Sequence, residues 1–331
     1  MPSSKRLARA LAVLLCAGGA LATPLRGSAE DSAPPTFERR DLEFPCGAVR
    51  CAGWLYLPKG SARPPLVVLA HGFAGTRELW LPSFAERFAA RGLAAFVFDY
   101  RSFGASQGEP RQVIRVADQL ADWSSALEFA RSLPEVDGSR VAIWGTSFSG
   151  GHVISTAADH PELRAVVAQV PFVDGEAGER AGFGYRMRAG VEILRDETRD
   201  LFGLEPHYIP VIGTAGGFSA IESTAATEAF RTLVPPELGW RNELAARSLL
   251  EVGAYRPTLR AKDVRCPLLL IAAREDELIP LSAIEAVAAQ AAQARLQVVE
   301  GGHFGPYASP LFEQVVEAES AFLVEQLALD R

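Results

Sequence analysis

Short apolar runs alternate with amphipathic segments along most of this chain. The runs are continuously apolar, which is typical of parallel strands buried on both faces; they lie at residues 66–70, 94–98, 141–144, 165–170, 268–273 and 296–300. Segments between them repeat apolar residues at steps of three and four, which predicts helices at residues 78–91, 113–132, 153–158, 281–293 and 310–327. This alternation predicts an α/β fold with a mostly parallel, doubly wound sheet.

Residues 171–262 break the alternation. They contain glycine, proline, short helical pieces and many aromatic residues. A stretch this long between two strands needs structure of its own. We therefore predict a cap inserted over the carboxyl ends of the strands, where doubly wound sheets bind ligands. The core would then consist of residues 30–170 and 263–331.

The N-terminus has the pattern of an export signal. Lys5, Arg6 and Arg9 precede an apolar run at residues 10–22, which is short for a membrane span, and small-x-small cleavage sites follow. Residues 1–29 are therefore predicted to be a signal peptide of a secreted or periplasmic protein; the alternative is a cytoplasmic protein with an apolar tail. Removal of residues 1–29 takes away four basic residues and moves the formal net charge from −7 to −11. Such acidity argues against non-specific binding to nucleic acid or anionic lipid.

Two of the four cysteines, Cys46 and Cys51, bracket the turn of a predicted hairpin between strands at residues 37–44 and 53–57. Facing positions near such a turn can bring cysteine Cα atoms to about 5.5 Å, so a disulfide is possible in an oxidising compartment. The alternative is a pair of reduced thiols. Zinc-like Cys/His spacing and a phosphate-binding glycine loop are both missing from the sequence, so neither a metal site nor a cofactor is predicted.

Ser147 stands between a predicted strand and a predicted helix, in the sequence RVAIWGTSFSGGH (residues 140–152). A G-x-S turn in this position raises the serine oxygen above the sheet and points the backbone amide of Phe148 to where an oxyanion develops. The usual motif ends in glycine, whereas this chain has Ser149; we expect serine to be small enough for close approach of helix and strand. Because G-x-S alone is a weak signal, an ordinary strand–turn–helix link is the alternative.

A serine nucleophile needs a base within hydrogen-bond reach and an acid that orients the base. Asp276 and His303 each follow one of the last two apolar runs, so both lie in loops at the sheet edge that carries Ser147. The chain order Ser, Asp, His is the one that accompanies a strand–Ser–helix turn. We predict Ser147 as nucleophile, His303 as base and Asp276 as acid, with Glu275 as the alternative acid.

The other four histidines are expected to have structural roles for the most part. His71 should hold a loop, His152 should pack on the helix after the serine, and His160 should cap or solvate a helix end. His207, in the predicted cap, is a candidate for substrate contact. The glycine after His71 lets its loop bend toward the site, so the backbone amide of Phe73 is the candidate second oxyanion donor.

Five segments carry a resemblance to a known family: AHGFAGTRELWL, FVFDYRSFGASQGEPRQ, RVAIWGTSFSGGH, AREDELIP and EGGHF. Together they resemble the α/β-hydrolase superfamily and, within it, bacterial serine hydrolases related to fungal polyketide transferases. The similarity runs from about residue 37 to the C-terminus. It implies an α/β-hydrolase fold with an inserted cap and a triad of Ser147, His303 and Asp276. Related members differ in acyl chemistry, so the resemblance does not identify the substrate.

These features predict a serine hydrolase that cleaves a carboxylic ester through an acyl-enzyme. The aromatic residues of the cap suggest a small-molecule substrate with an apolar acyl or alcohol group. One alternative is a thioesterase or an acyltransferase with an acceptor other than water. Another is a serine peptidase in which Glu205 or Glu222 binds an amine, and a different class is a non-catalytic binding protein on the same fold. Oligomeric state is left open.

Overall fold

The computed structural model of the protein describes residues 36–176, 182–214 and 216–327. The predicted signal peptide, residues 1–29, lies outside the described residues, as does the start of the predicted first core part. The described residues form one compact unit. None of the helices within the described ranges is both long enough and apolar enough to cross a bilayer.

Strands alternate with helices over most of the described chain. In chain order the strands are β1 (Phe37–Cys46), β2 (Val49–Pro58), β3 (Pro65–Ala70), β4 (Ala94–Phe98), β5 (Asp137–Thr146), β6 (Ala165–Gln169), β7 (Tyr208–Ile209), β8 (Ile212–Gly213), β9 (Ile221–Glu222), β10 (Leu244–Ala245), β11 (Leu268–Ala273) and β12 (Ala294–Val299). The helices are α1 (Leu81–Ala90), α2 (Val116–Ser132), α3 (Phe148–Asp159), α4 (Phe183–Leu201), α5 (Thr224–Leu233), α6 (Ser248–Ala254), α7 (Leu281–Gln290) and α8 (Leu311–Gln326).

One sheet of eight strands, in the order β1-β2-β4-β3-β5-β6-β11-β12, forms the centre of the described chain. The pairs β1–β2 and β2–β4 are antiparallel, and the pairs from β4 to β12 are parallel. The predicted mostly parallel, doubly wound sheet is therefore confirmed. Because the parallel strands run the same way, their carboxyl ends and the loops that follow lie at one edge of the sheet.

Helices cover both faces of the sheet, which explains why its strands read as unbroken apolar runs. Along β3, Leu66, Val68 and Ala70 join one core cluster, whereas Val67 and Leu69 join the other. The first cluster packs against α2, α3 and α7, and the second packs against α1 and α8. Successive residues of these strands are therefore all apolar, because each face of the sheet packs against a core and neither face is open to solvent.

The hairpin of β1 and β2 carries the two cysteines expected at its turn. Phe44 is paired with Cys51, and Cys46 is paired with Val49, so the cysteines are diagonal neighbours on the two strands. The structure joins Cys46 to Cys51 by a disulfide with a Cα–Cα distance of 5.8 Å. Both side chains are buried, as is the free Cys266.

The chain between β6 and β11 holds the helices α4, α5 and α6 and the short strand pairs β7–β10 and β8–β9. A buried ion pair holds it together, because Asp196 of α4 accepts hydrogen bonds from the backbone N–H and the guanidinium of Arg247 at 2.8–3.0 Å. It is joined to the core by two indoles: Trp240 Nε1 donates to the carbonyl of Ala74 at 2.8 Å, and Trp80 Nε1 donates to that of Leu233 at 3.3 Å.

Helix α2 begins three residues later than its apolar pattern predicts. Gln112 has a φ of 58°, which turns the chain before the helix. Two backbone donors near the helix start then bond to α6: Ile114 N–H donates to Ser248 Oγ and Val116 N–H to Glu251 Oε2, both at 3.0 Å. Partners from a distant segment therefore fix the start of α2, and no local pattern could have indicated them.

A buried carboxyl group, Glu319 of α8, lies behind the sheet. Its Oε2 accepts a hydrogen bond from Trp144 Nε1 of β5 at 3.0 Å, and its Oε1 meets no donor among the described residues. Burial raises the pKa of Glu319 from its usual 4.5 to about 8. The folded protein therefore keeps a proton here that the unfolded chain releases.

This retained proton predicts a pH dependence of stability. Between about pH 4.5 and 8, the unfolded state binds fewer protons than the folded state. The contribution of Glu319 to the free energy of unfolding is therefore full below this pH range and is lost as pH rises through it. Glu319→Gln keeps an acceptor for Trp144 and stays neutral. The free energy of unfolding of this variant, minus that of the wild type, should therefore increase from pH 5 to pH 8. Urea unfolding at several pH values measures this difference.

The matched control is Glu317→Gln, two residues earlier on the exposed side of α8. Its stability should follow the wild-type pH curve in parallel. If Glu319→Gln also runs parallel to the wild type, Glu319 is ionised in the folded protein and the argument from burial is wrong.

Candidate active site

Ser147 lies in a sharp turn between the last residue of β5 and the first residue of α3. Its backbone has φ 54° and ψ −119°, a combination that few residues other than glycine adopt. Ser147 N–H donates to the carbonyl of Gln169 at 2.9 Å, and Ser147 C=O accepts from the backbone N–H of Phe172 at 2.8 Å. These bonds to the end of β6 and the residues after it hold the strained turn in place.

The structure brings the three predicted triad residues into one hydrogen-bonded chain. His303 Nε2 lies 3.0 Å from Ser147 Oγ, and His303 Nδ1 lies 2.8 Å from Asp276 Oδ2. With Nδ1–H donating to the carboxylate, Nε2 is free to accept the serine proton. The imidazole is almost fully buried and the carboxylate completely so. Glu275, the alternative acid, is exposed and does not take this position.

Asp276 is held by the loop in which it lies. Its Oδ1 accepts hydrogen bonds from the backbone N–H groups of Leu278 and Ile279, each at 2.8 Å. The second oxygen is therefore left to face His303. A carboxylate fixed in this way orients the imidazole and stabilises its charged form.

Glu277 is part of the site and was missed by sequence reasoning. Its Oε2 accepts the backbone N–H of His303 at 3.3 Å, so it ties the histidine loop to the aspartate loop. A Cβ added to the neighbouring Gly302 would lie 2.8 Å from the same oxygen, so a side chain there would displace the Glu277 carboxylate. In the sequence, Glu277 stands in a run of acidic residues that gives no reason to prefer one of them.

The loop after β3 packs directly against the serine. A Cβ added to Gly72 would lie 3.0 Å from Ser147 Cβ, so only glycine allows this approach. The rings of Phe73 and Phe148 are in edge contact at 5.7 Å. Phe148 is the first residue of α3, whose first backbone N–H groups have no partner within the helix. The two predicted oxyanion donors thus flank Ser147 on neighbouring segments.

A buried polar cluster supports this loop from behind. Asp99 accepts the backbone N–H of Arg77 at 2.7 Å and that of Ala105 at 3.0 Å, and burial raises its pKa to about 7. His71 Nδ1 bonds to the carbonyl of Gly72 at 2.9 Å, and burial lowers the His71 pKa to about 4. His71 is therefore neutral at pH 7, and it holds a loop, as its position after β3 suggests.

Ser149 takes part in a buried hydrogen-bonded chain. Its Oγ lies 2.8 Å from the hydroxyl of Tyr100, which accepts a hydrogen bond from Trp123 Nε1 at 2.8 Å. The tightest approach lies one and two residues later, since a Cβ on Gly150 would lie 2.7 Å from Pro171 Cα and one on Gly151 would lie 2.1 Å from the carbonyl of Phe172. The expectation that size alone explains Ser149 was thus incomplete: its hydroxyl has a partner.

The remaining histidines are bonded elsewhere. His152 is buried between Tyr255 and Gln119, with a ring nitrogen 2.9 Å from each, and burial lowers its pKa to about 3. His160 contacts Ser124 and Glu162 at the end of α3. His207 Nε2 lies 2.7 Å from Glu192 of α4, and His207 does not line either of the cavities at Ser147.

Two cavities meet at Ser147 and His303. The narrower one, about 50 Å³, lies between core and cap, and its aromatic walls come from Trp80, Phe230, Phe304 and Tyr307. The wider one, about 410 Å³, is lined by apolar residues together with Tyr185, Glu222, Ser223 and Glu277. The two carboxylates of the wider cavity belong to exposed residues, so this cavity faces solvent.

Comparison with known proteins places this geometry in a family. A family model described as the alpha/beta hydrolase family matches residues 67–318. A relative named "Quorum-quenching protein AidA", from Acinetobacter baumannii, is 36% identical over 284 residues, which cover 86% of this chain and 93% of the relative. "Thiohydrolase aneE", from Aspergillus aculeatus, is 27% identical over 85% of this chain and 91% of its own length.

Among solved structures, the alpha/beta hydrolase GrgF from Penicillium superimposes with a TM-score of 0.77 at 23% identity, covering 88% of this chain and all of GrgF. At this identity the superposition supports the fold alone. The family match, however, spans most of the chain, and the alignment with the bacterial relative covers 86% of it. The protein therefore belongs to the alpha/beta hydrolase family.

Proposed function

We propose that the protein is a serine hydrolase that cleaves a carboxylic ester through an acyl-enzyme on Ser147. The observation that carries this proposal is the chain of two hydrogen bonds, Ser147–His303–Asp276, which opens onto two cavities. A binding protein on the same fold would not need a strained serine turn together with a buried, oriented base.

In the first half of the reaction, Ser147 Oγ attacks the ester carbonyl carbon while His303 Nε2 takes the serine proton. Asp276 holds Nδ1–H and stabilises the imidazolium that forms. The negative charge on the carbonyl oxygen is met by the backbone N–H groups of Phe73 and Phe148, with the N-terminal dipole of α3 adding to them. The carbon–oxygen bond to the alcohol then breaks, and His303 gives its proton to the leaving oxygen.

In the second half, water takes the place of the alcohol. His303 Nε2 removes one proton from the water as its oxygen bonds to the acyl carbon. The bond between that carbon and Ser147 Oγ breaks, the proton returns to the serine, and a carboxylic acid leaves. Both alcohol and water must therefore pass on a side of Ser147 that is open to solvent.

The shapes of the two cavities support a proposed position for each half of the ester. The wider cavity faces solvent, so we place the leaving alcohol and the incoming water there. The narrower aromatic cavity then holds the acyl group, which stays bound between the two halves of the reaction. The small size of this cavity, about 50 Å³, favours a short apolar acyl chain.

Thioester cleavage is the second candidate, because one relative carries the name thiohydrolase. The acyl-enzyme steps are the same, with sulfur in place of the leaving oxygen. Among the described residues that line the wider cavity, Glu222 and Glu277 carry carboxylates and none is a lysine or arginine, so an anionic leaving group such as coenzyme A would be repelled there. The relative named a quorum-quenching protein makes quorum-sensing signals a further set of substrates to screen.

Loss of the nucleophile or base should abolish activity without unfolding the protein. We expect Ser147→Ala and His303→Ala to lower kcat on an activated short-chain ester by about 10⁴–10⁶-fold. A fluorophosphonate probe should add once to the wild type, as read by intact mass, and not to Ser147→Ala. Circular dichroism checks that each variant is folded.

Ser155→Ala, on the same helix as the turn, is the control for the probe, since Ser155 bonds to Tyr255 rather than to His303. It should still take one adduct. Near-full kcat in either triad variant, or an adduct on Ser147→Ala, would show that another residue is the nucleophile.

Removing an aromatic wall of the narrower cavity should change acyl-chain preference. Trp80 contacts Tyr307 with ring centroids 4.5 Å apart and Phe230 at 5.5 Å. With p-nitrophenyl esters of two to eight carbons, we expect the wild type to prefer the shortest chains. Phe230→Ala and Trp80→Ala should shift the best kcat/KM to chains longer by about two or more carbons, because the cavity gains the volume of the lost ring.

Leu249→Ala, in the wall of the wider cavity, is the matched control. It should leave the acyl preference unchanged and alter the response to a change of alcohol. If Leu249→Ala shifts the acyl optimum and the aromatic variants do not, the assignment of the two cavities is reversed.

A further inference from the structure

Helix α4 (Phe183–Leu201) exposes a stripe of large apolar side chains. The stripe consists of Phe183, Met187, Val191, Leu194 and Leu201, which are 47–81% exposed. Spacings of four, four, three and seven residues put them on one side of the helix. The opposite side carries Ala189 and Asp196, which are buried. A helix that packs on a soluble protein normally turns polar residues outward, so a continuous apolar stripe of this kind marks an interaction surface.

The apolar stripe runs the length of the helix, and a glycine lies near its middle. Nineteen residues of helix span about 28 Å, and exposed Phe202 and Leu204 continue the apolar surface beyond the helix end. Gly190 lies within the stripe, and a Cβ added to it would meet no atom within 4 Å among the described residues. The backbone at Gly190 can therefore be approached closely by another helix.

Charges along one edge of the stripe have opposite signs in its two halves. Arg186 and Glu197 are eleven residues apart, which is three helical turns, so they lie on the same edge. Both are exposed, and neither forms an ion pair within the described ranges. On the other edge, Arg188 lies over the ring of Phe218 and Arg195 bonds to Glu192, so both cations have partners in their own chain.

We propose that α4 is a dimer interface, in which it packs antiparallel against α4 of a second copy of this chain. A twofold axis near Val191, midway between Arg186 and Glu197, places Arg186 of each copy opposite Glu197 of the other. The same axis brings Gly190 close to Leu194 of the second copy. The apolar stripe then forms the centre of the interface, and the two ion pairs lie at its rim.

The charges favour a second copy over a lipid surface. Helices that lie in a membrane interface carry mainly basic residues beside the apolar face. In α4 the acidic residues Glu192, Asp196, Glu197 and Asp200 equal the four arginines in number, and the formal net charge of the chain is −7. A pair of helices this long buries an area near the low end of stable interfaces, roughly 1,000 Å². We therefore expect a reversible dimer with micromolar affinity.

The test is sedimentation equilibrium of the full chain from about 1 to 100 µM. The wild type should move from monomer to dimer in this range. Leu194→Glu and Met187→Glu should each remain monomeric, because they place a charge in the apolar centre. The matched control is Leu259→Glu, at a leucine that is 57% exposed outside α4, and it should dimerise like the wild type.

Charge exchange tests the antiparallel arrangement. Arg186→Glu alone and Glu197→Arg alone should each weaken the dimer by about tenfold or more, since like charges then face each other twice. The double variant should return to near the wild-type dissociation constant. All of these variants keep the residues of the proposed catalytic site, so this test does not depend on the proposed function.

A wild type that is monomeric at 100 µM would overturn the proposal. So would a dimer that Leu194→Glu leaves intact, because the interface would then lie elsewhere. Weakening by both single charge variants with no recovery in the double variant would overturn the antiparallel pairing. Binding of a monomeric wild type to anionic vesicles would assign the stripe to a lipid surface instead.

Discussion

The left-handed backbone of Ser147 is the constraint on which the surrounding structure depends. A non-glycine residue at φ 54° is strained, and such strain persists only when neighbouring contacts over-determine it. Here the bonds to Gln169 and Phe172 fix the turn from the side of β6. The glycines around it are a consequence of the same geometry: a side chain on Gly145 would lie 2.3 Å from the carbonyl of Ser149. These contacts therefore join the turn to the start of α3 and to the chain after β6. A change of backbone in one of these three parts would require changes in the other two.

His303 and Asp276 reach Ser147 because the sheet is parallel in this region. Strands β5, β11 and β12 run in the same direction, so the loops after them meet at one edge. Each loop is then braced locally, Asp276 by backbone N–H groups of its own loop and His303 by the Glu277 carboxylate. Fold topology thus brings the residues within range, and short-range hydrogen bonds set the final distances.

The parts of the fold and site that sequence could predict are those with local signals. Continuous apolar runs indicated the parallel strands, and the strand–Ser147–helix context together with the chain order indicated Asp276 and His303. The parts that it could not predict depend on partners far away in the chain. Ser248 and Glu251 fix the residue at which α2 begins, and Tyr100 is the hydrogen-bond partner of the Ser149 hydroxyl. Helical periodicity likewise cannot separate the inward side of α4 from an apolar outward stripe, because both repeat with the same period.

Buried polar groups help to keep the shape of the site beneath the chain between β6 and β11. His71, Asp99, His152 and Tyr100 are all buried. Asp99, His152 and Tyr100 bond to residues of other segments, whereas His71 bonds to the carbonyl of Gly72 within its own loop. Apolar residues of similar volume could fill the same space, but they could pack in several arrangements. Hydrogen bonds are directional, so they favour one arrangement of the groups that they join. The neutral form that burial imposes on the two histidines adds to this effect, since neither imidazole carries a charge that would draw water beneath Ser147. The core side of the two cavities therefore rests on this network, and Phe73 and Leu278 of the core face Ile221 of the chain between β6 and β11 in both cavities.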